Sequence, residues 1–390
     1  MQKLIVIGNY PPDCQQSMER FAQMLRRGAE ERGITAEIWR PEVFFAKRYT
    51  NTTSGAAKWL GYLDKWVRYP RVIRRRIATM RRSDSLRGVH FHVADHSNAF
   101  YMRQLPVAGS AITCHDVLAI RGARGDADAY CPASRPGRWM QAWILRNLAR
   151  SQKVAAVSAT TLSQLQTLSE SVTGAYPPDR RDWRVIFNGF NARFSPMPCH
   201  QAKPLLRSAG VDPERSYLLH VGSSLERKNR AMLMEMAAKA GSKWNGAIVF
   251  AGTPLTPDLE SRARQLGIAD RVIQVLQPDH ETLLALYSRC FAFVFPSFSE
   301  GFGWPVIEAQ ACGAPVIASN VPPMPEVSGG AAIHVAPDDV AGFSDALLSL
   351  TDETTRADLI ERGFGNCNRF DNERMVESYL DLFNDSRTAV

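Results

Sequence analysis

Two carboxylates, Glu300 and Glu308, stand in the stretch SFSEGFGWPVIEAQ with seven residues between them. The apolar run FAFVF just before it, residues 291–295, reads as a buried parallel strand. Beyond it Pro305 suits a first helical turn, and Val306, Ile307, Ala309 and Ala311 can pack inward. Ser297, Ser299, Gly301 and Gly303 make a small turn between the two. A strand–loop–helix unit of this kind favours phosphate at its helix N-terminus, which makes Gly301, Phe302 and Gly303 candidate binding positions. Carboxylates repel phosphate, so Glu300 and Glu308 suit hydroxyl groups instead. A ligand with phosphates in the middle and hydroxyl-rich sugars at both ends meets both demands, which describes a nucleotide-sugar.

A second loop offers cations. Tyr217 to Val221 reads as a strand ending in Gly222-Ser223-Ser224, followed by Glu226-Arg227-Lys228-Asn229 and a helix from about Arg230. Arg227 and Lys228 in a strand-to-helix loop suit a pyrophosphate. A third loop follows the strand AITC and opens with His115-Asp116. Ligands of open α/β sheets bind beyond the carboxyl ends of strands, which places His115, and the nearby His92 and His96, within reach of one.

With its flanking P-S-x-x-E-G-F-G and P-x-I-E-A, the stretch 296–309 resembles the E-x7-E signature of retaining glycosyltransferases of the two-domain GT-B fold, family 4 in particular. The resemblance covers most of the chain, strongly over 217–335 and loosely over 9–110. It implies an α/β architecture of two Rossmann-like domains facing a cleft. It further implies that Glu300 and His115 contact the donor sugar and Glu308 the ribose. Lys228, with Arg227 near it, would hold the donor phosphates. Gly222, Ser223, Gly252 and Gln277 would lie beside the nucleotide. No metal is implied, protein cations taking its place, and no cofactor beyond a UDP- or GDP-linked donor as substrate. Two departures stand out. The loop NYPPDCQQS after the first strand lacks the glycine pair common in relatives, and Ser223 stands where many carry Arg, which leaves the role of Arg227 open.

The implied activity is transfer of a hexose to a glycan or lipid-linked saccharide, of the kind used in bacterial surface polysaccharide or lipopolysaccharide synthesis. Two alternatives stay open: a nucleotide-sugar epimerase of the same architecture, which needs no acceptor, and a nucleotide-sugar-binding protein with a degenerate site.

The remaining features bound this reading. A chain of 390 residues suits two α/β domains. The expected division is 1–195 for an acceptor-binding domain and 196–371 for a donor-binding one, with about 372–390 crossing back to the first. MQKLIVIGNYPPD reads as a first core strand and not as a signal peptide. Seven scattered cysteines without a CxxC favour a reducing, cytoplasmic compartment. Through Arg184 the sequence holds 29 Lys+Arg against 15 Asp+Glu, a net of +14, and the rest holds 18 against 24, a net of −6. A basic N-terminal half points to an anionic partner, and no nucleic-acid module accompanies it.

Residues 58–82 place Trp59, Leu63, Trp66, Pro70, Ile73, Ile77 and Met80 on one helical stripe and Arg68, Arg71, Arg75 and Arg82 on another, with Pro70 expected to kink the helix. This suits either a core-packed helix with a solvated basic face or an interfacial helix on the inner face of the cytoplasmic membrane. Arg121 to Arg138 reads as a mobile loop. Its Asp126-Ala127-Asp128 matches a metal-binding DxD only superficially, since no strand precedes it. Arg193 to Pro204 reads as a linker.

Overall fold

The computed structural model describes residues 1–173 and 182–384. By contact the chain divides into two compact units. One holds Met1–Arg124, Ala133–Asn191 and Asp371–Val390, and the other Gly125–Pro132 and Ala192–Phe370.

The first unit is built on six parallel strands: β1 (Lys3–Ile7), β2 (Thr35–Trp39), β3 (Val89–Val93), β4 (Ser110–Cys114), β5 (Lys153–Ala156) and β6 (Asp182–Val185), in the order β2-β1-β3-β4-β5-β6. The second repeats the plan with β7 (Tyr217–Gly222), β8 (Ala247–Gly252), β9 (Val272–Leu276), β10 (Ala292–Phe295), β11 (Val316–Ser319) and β12 (Ile333–Val335), in the order β12-β11-β10-β7-β8-β9. Strands buried on both faces read as unbroken apolar runs, as β8 (AIVFAG) and β10 (AFVF) do, whereas the edge strands β2 (TAEIW) and β6 (DWRV) are only partly buried and carry polar residues. Successive side chains enter opposite layers: Leu219, Phe293 and Phe295 on one side of the second sheet, Leu218, Ile248 and Val294 on the other.

Each sheet has one point where the chain reverses its direction of growth, between β1 and β3 and between β7 and β10. In sheets of this kind ligands bind in the crevice at such a point, beyond the carboxyl ends of the strands.

Sequence and structure differ in three places. Residues 55–82 form a helix (Gly55–Tyr62), a π-turn (Leu63–Arg68) and a second helix (Tyr69–Arg82). Pro70 has no N–H for the carbonyl of Trp66, and the chain answers with a wider turn in which Tyr69 N–H reaches Asp64 O. The apolar stripe is split: Pro70, Ile73 and Ile77 are buried, whereas Trp59 and Leu63 lie in the open. The segment 121–138 is largely structured, since a helix Leu118–Ala123 runs into it and another, Arg135–Leu148, begins within it. The reading of 193–204 as a linker fails in its second half, where the helix Cys199–Ser208 begins and carries Pro204 inside it.

Candidate active site

The site in the second unit sits at its switch point. β10 ends at Phe295, and the loop returns into the helix Trp304–Ala311 through Gly303, whose φ is 97°. A side chain at Gly303 would be strained and would also meet the Met324 methyl at 2.6 Å. Across the switch point, β7 leads through Gly222 to a tight turn, Glu226–Lys228. Asn229 follows in a left-handed conformation, and its amide donates to Pro296 O at 3.1 Å and Pro337 O at 2.7 Å. Phe298 N–H donates to Arg227 O at 2.8 Å, and the Arg227 guanidinium donates to Ser299 O at 2.9 Å. The two loops are therefore bound to each other.

At their centre Glu300 accepts from Lys228 Nζ at 2.6 Å and from Arg227 Nη1 at 2.9 Å. The Lys228 ammonium also lies 4.8 Å from the Phe295 ring centroid. Burial pushes the Glu300 carboxyl up, and the two cations more than reverse this, holding it below the usual carboxylate range. Burial lowers the Lys228 ammonium, and Glu300 restores part of the loss. Sequence reading treats the two cations as open to pyrophosphate. The structure instead shows them covered by the carboxylate of the neighbouring loop, because a buried charge without a partner is costly.

The remaining residues of this unit frame the crevice. Gly252, at the end of β8, has φ 128°, and a Cβ there would fall 2.4 Å from Gly222 O. Close approach of these two strand ends thus depends on glycine. Gln277 is exposed, with φ 45°, and its N–H donates to Gly252 O at 3.0 Å. Ser223 is half-buried beside Gly222. Glu308 is buried on the helix after the loop and accepts from Tyr287 OH at 3.0 Å. The Phe302 ring is buried against Phe370.

In the first unit the switch point gathers Asn9 after β1, Asp95 after β3 and His115 after β4. Asn9 donates to Asp95 at 2.6 Å and accepts from Asn98 at 2.8 Å. His115 Nε2 donates to Ala94 O at 2.9 Å, with the ring edge-on to Phe21. Its Nδ1 is buried and has no partner among the described residues. Burial keeps the ring neutral, although Asp95 opposes this. His115 thus carries a bare acceptor lone pair. His92 does not serve as expected. Its Nε2 bonds Thr113 Oγ1 at 2.7 Å and its ring meets Tyr379, which makes it part of the core. His96 is paired with Asp95 at 3.4 Å. Asp126, of the DAD triplet, caps the turn Ala127–Ala129 through Asp128 N–H.

The family model for glycosyl transferases group 1 matches residues 203–365, a span that contains Lys228, Glu300 and Glu308. Residues 203–365 are a group 1 glycosyltransferase domain. The O-antigen chain mannosyltransferase RfbU of Salmonella typhimurium is 27% identical over 240 residues, which is 61% of this chain and 63% of that relative's own length. Among solved structures, the sucrose-phosphate synthase of Thermosynechococcus elongatus superposes with a TM-score of 0.73 at 19% identity over the full length of both chains. Anabaena HepE, solved in complex with UDP and glucose, does so with a TM-score of 0.68 at 16% identity, over 98% of this chain and 100% of its own. These likenesses establish the GT-B type of fold, with its two Rossmann-like units.

Within the group 1 domain, sequence reasoning passed over two buried polar residues. Arg230 donates to Gly222 O at 2.8 Å, Thr253 O at 2.9 Å and Pro254 O at 3.2 Å, which ties the ends of β7 and β8 together. Burial pushes its guanidinium down to about 10. His220, inside β7, donates from Nδ1 to Val294 O at 3.2 Å. His220 alone carried a signal, a polar residue inside an apolar strand.

Proposed function

We propose that the protein is a retaining, metal-independent glycosyltransferase. It moves a hexose from a UDP- or GDP-linked donor to a saccharide, in soluble or lipid-linked form, during surface polysaccharide or lipopolysaccharide synthesis at the cytoplasmic face of the membrane. The observation that carries this is the Lys228–Glu300–Arg227 cluster at the switch point of the group 1 domain. The name of the mannosyltransferase relative supports a hexose and a polysaccharide product. The UDP and glucose held by a structural neighbour support the donor class.

In this reading the bond from the sugar C1 to the diphosphate oxygen breaks, and a bond from C1 to the acceptor oxygen forms on the same face. Negative charge grows on the departing diphosphate. Lys228, Arg227 and the N–H groups at Gly303 stabilise it, an arrangement that strengthens as charge develops. Glu300 turns to the sugar hydroxyls and fixes the attack geometry. Glu308 receives the ribose hydroxyls, and the His115 Nδ1 lone pair accepts from a sugar hydroxyl. The leaving phosphate takes the acceptor's proton, so no side chain is required as a covalent nucleophile. The basic first unit binds the acceptor.

The test is product analysis by NMR after incubation with UDP- and GDP-hexoses and a lipid-linked saccharide. A new glycosidic bond with the donor's anomeric configuration, formed with EDTA present, supports the reading. An inverted product or a metal requirement contradicts it, and an epimerised nucleotide-sugar formed without acceptor selects the epimerase.

A further inference from the structure

The surface of the first unit carries an apolar stripe that no part of this chain covers among the described residues. Trp59 is 61% exposed and Trp139 65%, and Phe44, Phe45, Leu63 and Val67 are also open. The tryptophans are the two ends of one run of touching rings. Trp59 meets Tyr62 at 5.7 Å, Tyr62 stacks on Trp66 at 4.1 Å, Trp66 meets Trp143 at 6.1 Å, and Trp143 stacks on Trp139 at 6.0 Å. A run of this kind is held rigid by its inner members and presents its ends to the outside.

The surroundings are cationic. Residues 44–82 hold eleven Lys and Arg and a single acid, Asp64. Asp64 is buried and engaged by Tyr10 OH and the N–H groups of Phe44, Phe45 and Ala46, so it offsets nothing outside. Arg71, Arg74 and Arg75 are exposed. The helix that bears Trp139 also lines a cavity of about 340 Å³. Arg124, Arg138 and Arg146 line it together with Gln141 and Ser171, and among the described residues no carboxylate does.

We propose that this face is a docking surface for an anionic phospholipid bilayer. Trp59, Trp139, Leu63 and Val67 enter the interfacial layer, and a lipid phosphate seats in the Arg124–Arg138–Arg146 cavity. Amphipathic rings belong at that depth, and the arginines complement the surface charge. A glycan or a nucleotide would use the rings and the cations but would leave Leu63, Val67 and Phe45 in water. The proposal rests on the lipid-linked acceptor of the function proposed above, yet its test needs no transfer.

The full chain is floated with vesicles of phosphatidylcholine alone and of phosphatidylcholine with phosphatidylglycerol, and tryptophan emission is read with bromine-labelled acyl chains. The expected result is binding to the anionic vesicles, quenching by the brominated chains, and loss of binding by about tenfold or more in Trp59→Ser/Trp139→Ser and in Arg138→Gln/Arg146→Gln. Binding without quenching, unchanged in the tryptophan variant, would overturn the inserted face. Failure to bind would overturn the surface altogether. So would stabilisation by soluble glycerol phosphate in the absence of vesicle binding, which assigns the cavity to a free phosphate, and so would a dimer that Trp59→Ser dissolves. Transfer to a soluble acceptor by a chain that ignores vesicles refutes this surface and leaves the transferase standing. Vesicle binding without transfer to any acceptor does the reverse.

Discussion

Lys228 Nζ lies 2.6 Å from Glu300 Oε1, an ion pair made between the two loops that leave β7 and β10. The carboxylate therefore occupies the place where a diphosphate would meet the same cation. In the proposed reading, donor binding exchanges one anion for another, and the freed Glu300 becomes available to hydroxyl groups.

That exchange is measurable. In Glu300→Gln the amide keeps the shape but gives up the charge, so the free nucleoside diphosphate binds more tightly, by about tenfold, the size of one charge-assisted hydrogen bond. Turnover of the nucleotide-sugar falls by about a hundredfold or more, because the orienting carboxylate is gone. Calorimetry with UDP or GDP and steady-state kinetics separate the two effects. Diphosphate binding weakened in this variant would count against the exchange.

In the proposed reading, Lys228→Ala removes charge where the leaving group develops it. The expected loss is about 10²–10³ in kcat, as for deletion of a single stabilising donor. Because burial lowers the Lys228 ammonium, with Glu300 offsetting only part, the free enzyme loses this charge at lower pH than an ordinary lysine. Diphosphate affinity is thus expected to decline toward alkaline pH sooner than a free lysine would dictate. Titration of affinity against pH reads this, and a flat profile up to the ordinary lysine range would contradict it.

Arg230 acts at one remove, by holding the β7 and β8 ends together. Arg230→Lys cannot reach all three carbonyls. Its donor KM is expected to rise about tenfold while the acceptor KM stays put, since roughly one or two hydrogen bonds to a charged group are lost. Equal changes in both would reduce Arg230 to a general stabiliser.

Two buried histidines predict acid sensitivity. Burial first, then the Arg230 and Lys228 cations, push His220 down to about 3, and burial first, then His115, pushes His92 to about 3. Above the ordinary value of 6.5, both folded and unfolded chains hold each ring neutral. Between 6.5 and about 3 only the unfolded chain takes the proton. Stability therefore falls as pH falls, by about 1.4 kcal/mol per pH unit for each histidine. Urea unfolding at several pH values measures the slope, and His220→Gln should make it shallower by one histidine's share.

Much of the second unit was legible because its signals are local. The apolar runs of β8 and β10 are continuous, and the turn Glu226–Lys228 and the loop 297–303 each sit next to their own strand. What sequence could not show was pairing across those loops, since Lys228 and Glu300 are 72 positions apart. His92 misled for the same reason: its partners, Thr113 and Tyr379, come from distant segments, and a histidine without visible partners looks available. The helix at 58–82 teaches a different lesson. Periodicity tells which residues share a face but not what lies opposite. Ile73 and Ile77 meet the core of the first unit, while Trp59 and Leu63, on the same stripe, lie in the open. Arg230 was hidden because a single arginine at a helix start looks solvated until two strand ends are seen to close over it.

The most direct measurement of the central claim is thermal stabilisation by a panel of UDP-, GDP- and ADP-sugars, with and without EDTA, on the wild type and on Lys228→Ala. A ligand that binds only the folded chain raises its stability according to its excess over Kd. The account predicts a shift with one nucleotide base, unchanged by EDTA and absent in Lys228→Ala. A shift that survives in Lys228→Ala, or one that EDTA abolishes, would contradict a donor site built on this lysine without metal.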